Sequence, residues 1–79
     1  MPRYLVIENF RPGQKDKVNA RFQQCGRLLP DGLHYIDSWR ETGGNRCFQL
    51  METDDYALFR RWTAHWDDLV DFEILPVED

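Results

Sequence analysis

A chain of 79 residues has room for one domain, residues 1–79, and domains below roughly 80 residues commonly lean on disulfides, metal or oligomerisation. Its 42 % hydrophobic and 14 % aromatic content excludes a disordered segment, and its net charge of −4 argues against a nucleic-acid binder, which needs a basic surface. No run approaches the ~20 apolar residues of a membrane span and the N-terminus lacks a signal-peptide layout, so the expectation is a cytoplasmic protein with no membrane partner.

From the N-terminus, Arg3 to Phe10 is a nearly continuous apolar run with β-branched residues at its centre. That pattern predicts a strand buried on both faces, hence a central one. Glu8 interrupts it near its end; it reads either as a base lining a cavity or as a solvated strand terminus. Arg11-Pro12-Gly13 ends the strand, because proline donates no ladder hydrogen bond. From Gln14 the period becomes helical, with Val18, Phe22, Cys25 and Leu29 on one face and Gly26 as a plausible end. Pro30-Asp31-Gly32 is a stop and turn.

Leu33 to Glu41 and Arg46 to Glu52 are alternating, aromatic-rich runs around Thr42-Gly43-Gly44-Asn45, which predicts a β-hairpin. Two registers are open. A two-residue loop places Trp39 opposite Phe48 and Asp37 opposite Leu50, gathering Leu33, Tyr35 and Trp39 into the helix-facing core. A three-residue loop places Trp39 opposite Gln49 and Asp37 opposite Met51, on the sheet's open face. The second builds an aromatic-walled pocket with one carboxylate and one amide to orient a ligand. Tyr35, Asp37, Trp39, Gln49, Met51 and Glu8 are therefore the candidate ligand-binding residues. Asp37 leans towards a cavity, where water can hydrate it.

Thr53-Asp54-Asp55 reads as a helix start, and Leu58, Phe59, Trp62 and Trp66 form the buried stripe of the helix that follows, from about Tyr56 to Trp66. The last strand, Val70 to Val77, alternates Val70, Phe72 and Ile74 with Asp71, Glu73 and Leu75, and Pro76 suits an edge.

The order is β-α-β-β-α-β. With right-handed crossovers, it gives a ferredoxin-like α+β fold: a four-stranded antiparallel sheet, first and third strands central, both helices on one face. The other face, expected to carry Cys47, Gln49 and Met51, is too apolar to stay wet. A second copy is its simplest cover, so a homodimer closing a dimeric α/β barrel is expected.

Tyr35-Ile36-Asp37-Ser38-Trp39, Arg46-Cys47-Phe48-Gln49-Leu50-Met51-Glu52, Trp62-Thr63 and the run from Trp66 to Glu73 resemble a family of small bacterial proteins catalogued as a domain of unknown function. The resemblance spans nearly the whole chain and implies the dimeric α/β-barrel group, which contains cofactor-free monooxygenases, isomerases and haem-handling proteins. It implies no catalytic residues.

His34 and His65 lie in no catalytic spacing, and with Cys25 and Cys47 they lack metal-ligand spacing, so neither metal nor cofactor is expected. The two cysteines read as shielded thiols in a reducing compartment. No phosphate loop or nucleophile elbow is present. Three functions stay open: a binding protein for a small organic ligand, a cofactor-free enzyme of the monooxygenase or isomerase type, and a non-catalytic interaction module.

Overall fold

The computed structural model describes residues 1–78. Six elements follow in the expected order: β1 (Arg3–Phe10), α1 (Lys15–Cys25), β2 (His34–Arg40), β3 (Arg46–Glu52), α2 (Ala57–Thr63) and β4 (Val70–Val77). The strands form one antiparallel sheet in the order β2-β3-β1-β4, the ferredoxin-like arrangement with β1 and β3 central. No helix among the described residues is long and apolar enough to cross a membrane.

The core lies between the sheet and the helices. Val6 and Met51 are fully buried there, with Phe59, Trp62, Trp66 and Val70 packed over them. The α2 stripe makes most of this layer. Tyr4 meets Phe59 edge-on at 5.1 Å between ring centres, and Trp62 meets Phe72 at 5.5 Å, geometries that favour the aromatic quadrupoles. The start of α2 is held as its sequence predicts: Thr53 Oγ1 accepts from the Asp55 N–H at 3.1 Å, and Asp55 Oδ1 from the Ala57 N–H at 3.0 Å.

α1 contributes less. Of its expected stripe, Val18 alone is buried; Phe22 is 43 % exposed and Cys25 is exposed. The expectation of two shielded thiols therefore fails at Cys25. Cys25 is the last residue of α1, which ends at Gly26 (φ 67°). α1 is tied down at its side instead: Arg21 forms a two-pronged ion pair with Asp68 at 2.8 and 2.9 Å and donates to the His65 carbonyl at 2.7 Å.

The hairpin takes the register of the shorter loop, with Trp39 opposite Phe48 and Asp37 opposite Leu50. For Trp39, Phe48 and Leu50, however, the face is the reverse of the one expected for that register, whereas Leu33 is buried in the core as expected. Val6 is opposite Gln49, Glu8 opposite Cys47, and Tyr4 opposite Met51, so Cys47, Gln49 and Met51 share the helix side with Val6. Phe48 and Leu50 share the open face with Ile7 and Leu5, because opposed residues point the same way and neighbours alternate. A bulge between Tyr35 and Asp37 shifts β2 by one residue. It leaves Tyr35 on the helix side, opposite Met51, and turns Asp37 and Trp39 to the open face.

The open face thus carries an apolar band. Trp39, Phe48 and Ile7 form one row and Leu50, Leu5 and Leu75 the next. Polar pairs close both ends: Asn9 with Glu73 (3.1 Å) at one, Arg3 with Glu52 (3.6 Å) at the other.

Candidate functional site

Glu8 sits on the helix side of central strand β1 and is 9 % exposed. A carboxyl group placed among core side chains is costly when charged, and a cleft accounts for its position. Between α1 and the β2–β3–β1 part of the sheet lies a cavity of about 200 Å³. Glu8, Gln49, Cys47 and Ser38 form its polar floor; Val18, Asn19 and Phe22 of α1 cover one side, and Trp62 and Trp66 close its inner end.

Burial pushes the Glu8 carboxyl above its ordinary value; the Gln49 and Cys47 side chains and the Arg27 and Arg40 charges pull the other way without cancelling the shift. The Cys47 thiol, beside Glu8, is pushed up to about 11, first by burial and then by the Glu8 charge. A thiol held neutral in this way is a poor nucleophile. Gln49 is 6 % exposed and its Oε1 has no hydrogen-bond partner; the same is true of the buried Nε of Arg27. Such groups normally find partners in a folded protein.

Two arginines frame the cleft. Arg27 follows the α1 C-cap, and its carbonyl accepts from both indoles, Trp62 Nε1 at 2.9 Å and Trp66 Nε1 at 3.1 Å. That double anchor fixes a connection whose next residue, Leu28, is held at φ 62°, a left-handed conformation that costs a non-glycine residue about 1 kcal/mol or more. The Arg27 guanidinium then lies 3.7 Å from the Tyr35 ring centre and 5.1 Å from that of Phe22. Arg40, from β2, stacks at 5.1 Å on Phe10 and reaches Asn19 Oδ1 at 3.4 Å.

The chain matches the model of a family described as "Domain of unknown function (DUF3303)" over residues 2–79. It belongs to this family. No curated protein matches the DUF3303 chain, so what this member does rests on its own residues.

Of the six candidate residues, the structure gathers Glu8 and Gln49 at the cleft floor. Met51 is fully buried in the core beneath α2, and Tyr35 holds the Arg27 guanidinium from the side. Asp37 lies on the open face, where its Oδ1 accepts from the Ser38 N–H at 2.8 Å. Trp39 lies on that face too, 51 % exposed, and touches the rim of the cleft. This cleft of the DUF3303 domain lies on the helix side of the sheet; the open face, where a cavity between two copies is expected from the sequence, carries the apolar band. Sequence reasoning missed Arg27 and Arg40. Arg27 follows a glycine at a helix end, and Arg40 shares Glu8's face once the bulge sets the register; nothing local marks either. Among the described residues, no three His, Cys, Asp or Glu side chains gather as a metal site.

Proposed function

We propose that this protein binds a small organic molecule in the Glu8 cleft and works as a homodimer joined through the open sheet face. One observation carries the binding reading: Gln49 Oε1 is buried, unpartnered and part of the cleft lining. Leaving such an acceptor unmet costs about 1–3 kcal/mol, and a ligand donor placed in the cleft removes that cost. A cavity of about 150 Å³ is known to take a benzene ring, so one of about 200 Å³ suits a single ring with one or two substituents.

The homodimer reading is supported by the band of Leu5, Ile7, Phe48, Leu50, Trp39 and Leu75 between polar ends, the apolar-centre and polar-rim pattern of an interface. Two such sheets face to face would form a dimeric α/β barrel. A cytoplasmic setting belongs to the same reading, supported by two unpaired cysteines.

A second reading, catalysis without a cofactor, is favoured by the raised Glu8 carboxyl, since a base poised nearer neutrality suits proton transfer on a bound substrate. The deciding experiment is a ligand screen on isotope-labelled protein followed by amide and indole NMR. Shifts confined to Glu8, Arg27, Gln49 and the Trp62 and Trp66 indoles are expected. Hits that map only to the open face, or none at all, would refute the cleft as the site. Turnover of a hit, lost in Glu8→Gln, would separate enzyme from binding protein.

A further inference from the structure

The cleft has a definite chemical complement, and this inference rests on its being a ligand site. Its two unmet buried groups are opposite in kind: Arg27 Nε–H lacks an acceptor and Gln49 Oε1 lacks a donor. Its charges are unequal, with the guanidinium groups of Arg27 and Arg40 against the single carboxyl of Glu8. Its walls are planar rings, those of Phe10, Phe22, Trp62 and Trp66. A neutral hydrocarbon would leave both polar groups unmet, and a cation would face two guanidiniums.

We propose that the cleft takes a single-ring organic monoanion, its charged oxygens on Arg27 and Arg40, with an O–H or N–H of the same molecule donated to Gln49 Oε1. Guanidinium is suited to the first contact because it presents several N–H donors in a fixed plane to an oxyanion. The stacking of Arg27 on Tyr35 and Arg40 on Phe10 holds both planes before the ligand arrives, which reduces the entropy lost on binding.

Glu8 then acts as a proton partner. A second negative charge beside the bound anion in a shielded site is unfavourable, so Glu8 takes up a proton as the ligand binds. No other group facing the cleft titrates in the same range. From β2 comes Arg40, from the α1–β2 connection Arg27, and from β3 Cys47, pushed up to about 11. α1 supplies Val18, Asn19 and Phe22, and α2 with its following turn supplies Trp62 and Trp66. Affinity should therefore fall as pH rises above the Glu8 value, by at most tenfold per pH unit for one linked proton.

The test uses four probes of similar size: benzoate, 4-hydroxybenzoate, neutral benzamide and protonated benzylamine, titrated by calorimetry and by NMR of the Trp62 and Trp66 indoles. The expected order is 4-hydroxybenzoate tightest, benzoate about tenfold weaker for want of one hydrogen bond, and benzylamine unbound. Arg27→Gln and Arg40→Gln should each weaken the anions about tenfold or more and weaken neutral benzamide less than the anions. Glu8→Gln should remove the pH dependence of anion binding and keep the binding itself. Benzamide or benzylamine binding better than the anions would overturn the anion assignment and leave the cleft as a ligand site. Anion binding with no pH dependence in the wild type would overturn the role of Glu8. Failure of every probe to move the indoles would overturn both this inference and the binding function beneath it.

Discussion

Replacing Trp39 by glutamate tests the assembly directly. Strands of seven or eight residues rise about 3.3 Å per residue and lie about 4.8 Å apart, so the open face measures roughly 25 by 19 Å, about 500 Å² in projection. Side-chain relief brings its accessible area towards the ~800 Å² per partner of an ordinary stable interface. Trp39 is 51 % exposed in the single chain, which for a side chain of up to ~250 Å² leaves about 120 Å² uncovered. Trp39 stands on edge strand β2, so taking half of that area as covered, in both copies, gives about 120 Å² per dimer, or about 3 kcal/mol. That is a weakening of about a hundredfold or more in the dimer dissociation constant, to which the new carboxylates add their own desolvation. Within one protomer, the buried half of Trp39 is worth at most about 3 kcal/mol, so the variant should still fold. Sedimentation velocity from low-micromolar to millimolar protein reads the dissociation constant, and circular dichroism confirms the fold. A wild type that sediments at 9.5 kDa throughout, or a Trp39→Glu variant that dimerises as tightly as the wild type, would rule out the open-face dimer.

Three further outcomes follow from the core and the cleft. Because the Glu8 carboxyl is raised in the folded state, the unfolded chain ionises first, and stability falls as pH rises from the ordinary carboxylate range through the folded value; melting temperatures should record this fall in the wild type and its disappearance in Glu8→Gln, which should be the more stable protein at neutral pH. Trp62→Phe, at a site 1 % exposed, loses one of the two bonds to the Arg27 carbonyl and leaves a small void, for an expected cost of about 2–3 kcal/mol in urea unfolding; a cost below ~1 kcal/mol would mean that the Trp66 bond suffices to fix the connection. Cys25, exposed, should react at once with a thiol reagent in the native protein, whereas Cys47, held near 11 beside Glu8, should react far more slowly; equal rates would contradict the burial of the cleft floor.

Element order and strand pairing were legible because they depend on period and punctuation. Alternation marks β4, spacing marks Leu58, Phe59 and Trp62, and Pro12, Gly26 and Gly43-Gly44 fall between elements. The assignment of faces was not legible, and two features explain why. β3 is apolar on both sides, with Cys47 and Met51 on one and Phe48 and Leu50 on the other, and in the sequence the larger pair has the stronger core pattern. In the fold, that pair lies on the open face. The bulge at Ile36 is the second feature: an extra residue inside β2 breaks the period of two, so Tyr35 and Asp37, two apart in sequence, end on opposite faces. Glu8 was legible as an anomaly in an apolar strand. Its partners were not, since Arg27 reaches it only through a chain reversal anchored by tryptophans 35 and 39 residues away in sequence.

The placement of the three tryptophans gives the molecule two built-in optical probes of separate surfaces. Trp62 and Trp66 donate to one carbonyl at the inner end of the cleft, so their emission answers to what enters there. Trp39 stands half exposed on the opposite side of the sheet, where its emission answers to whether that face is wet or covered. A Trp39→Phe protein therefore reports on the inner part of the cleft, and the difference between its spectrum and that of the wild type reports on the open face and the cleft rim that Trp39 touches.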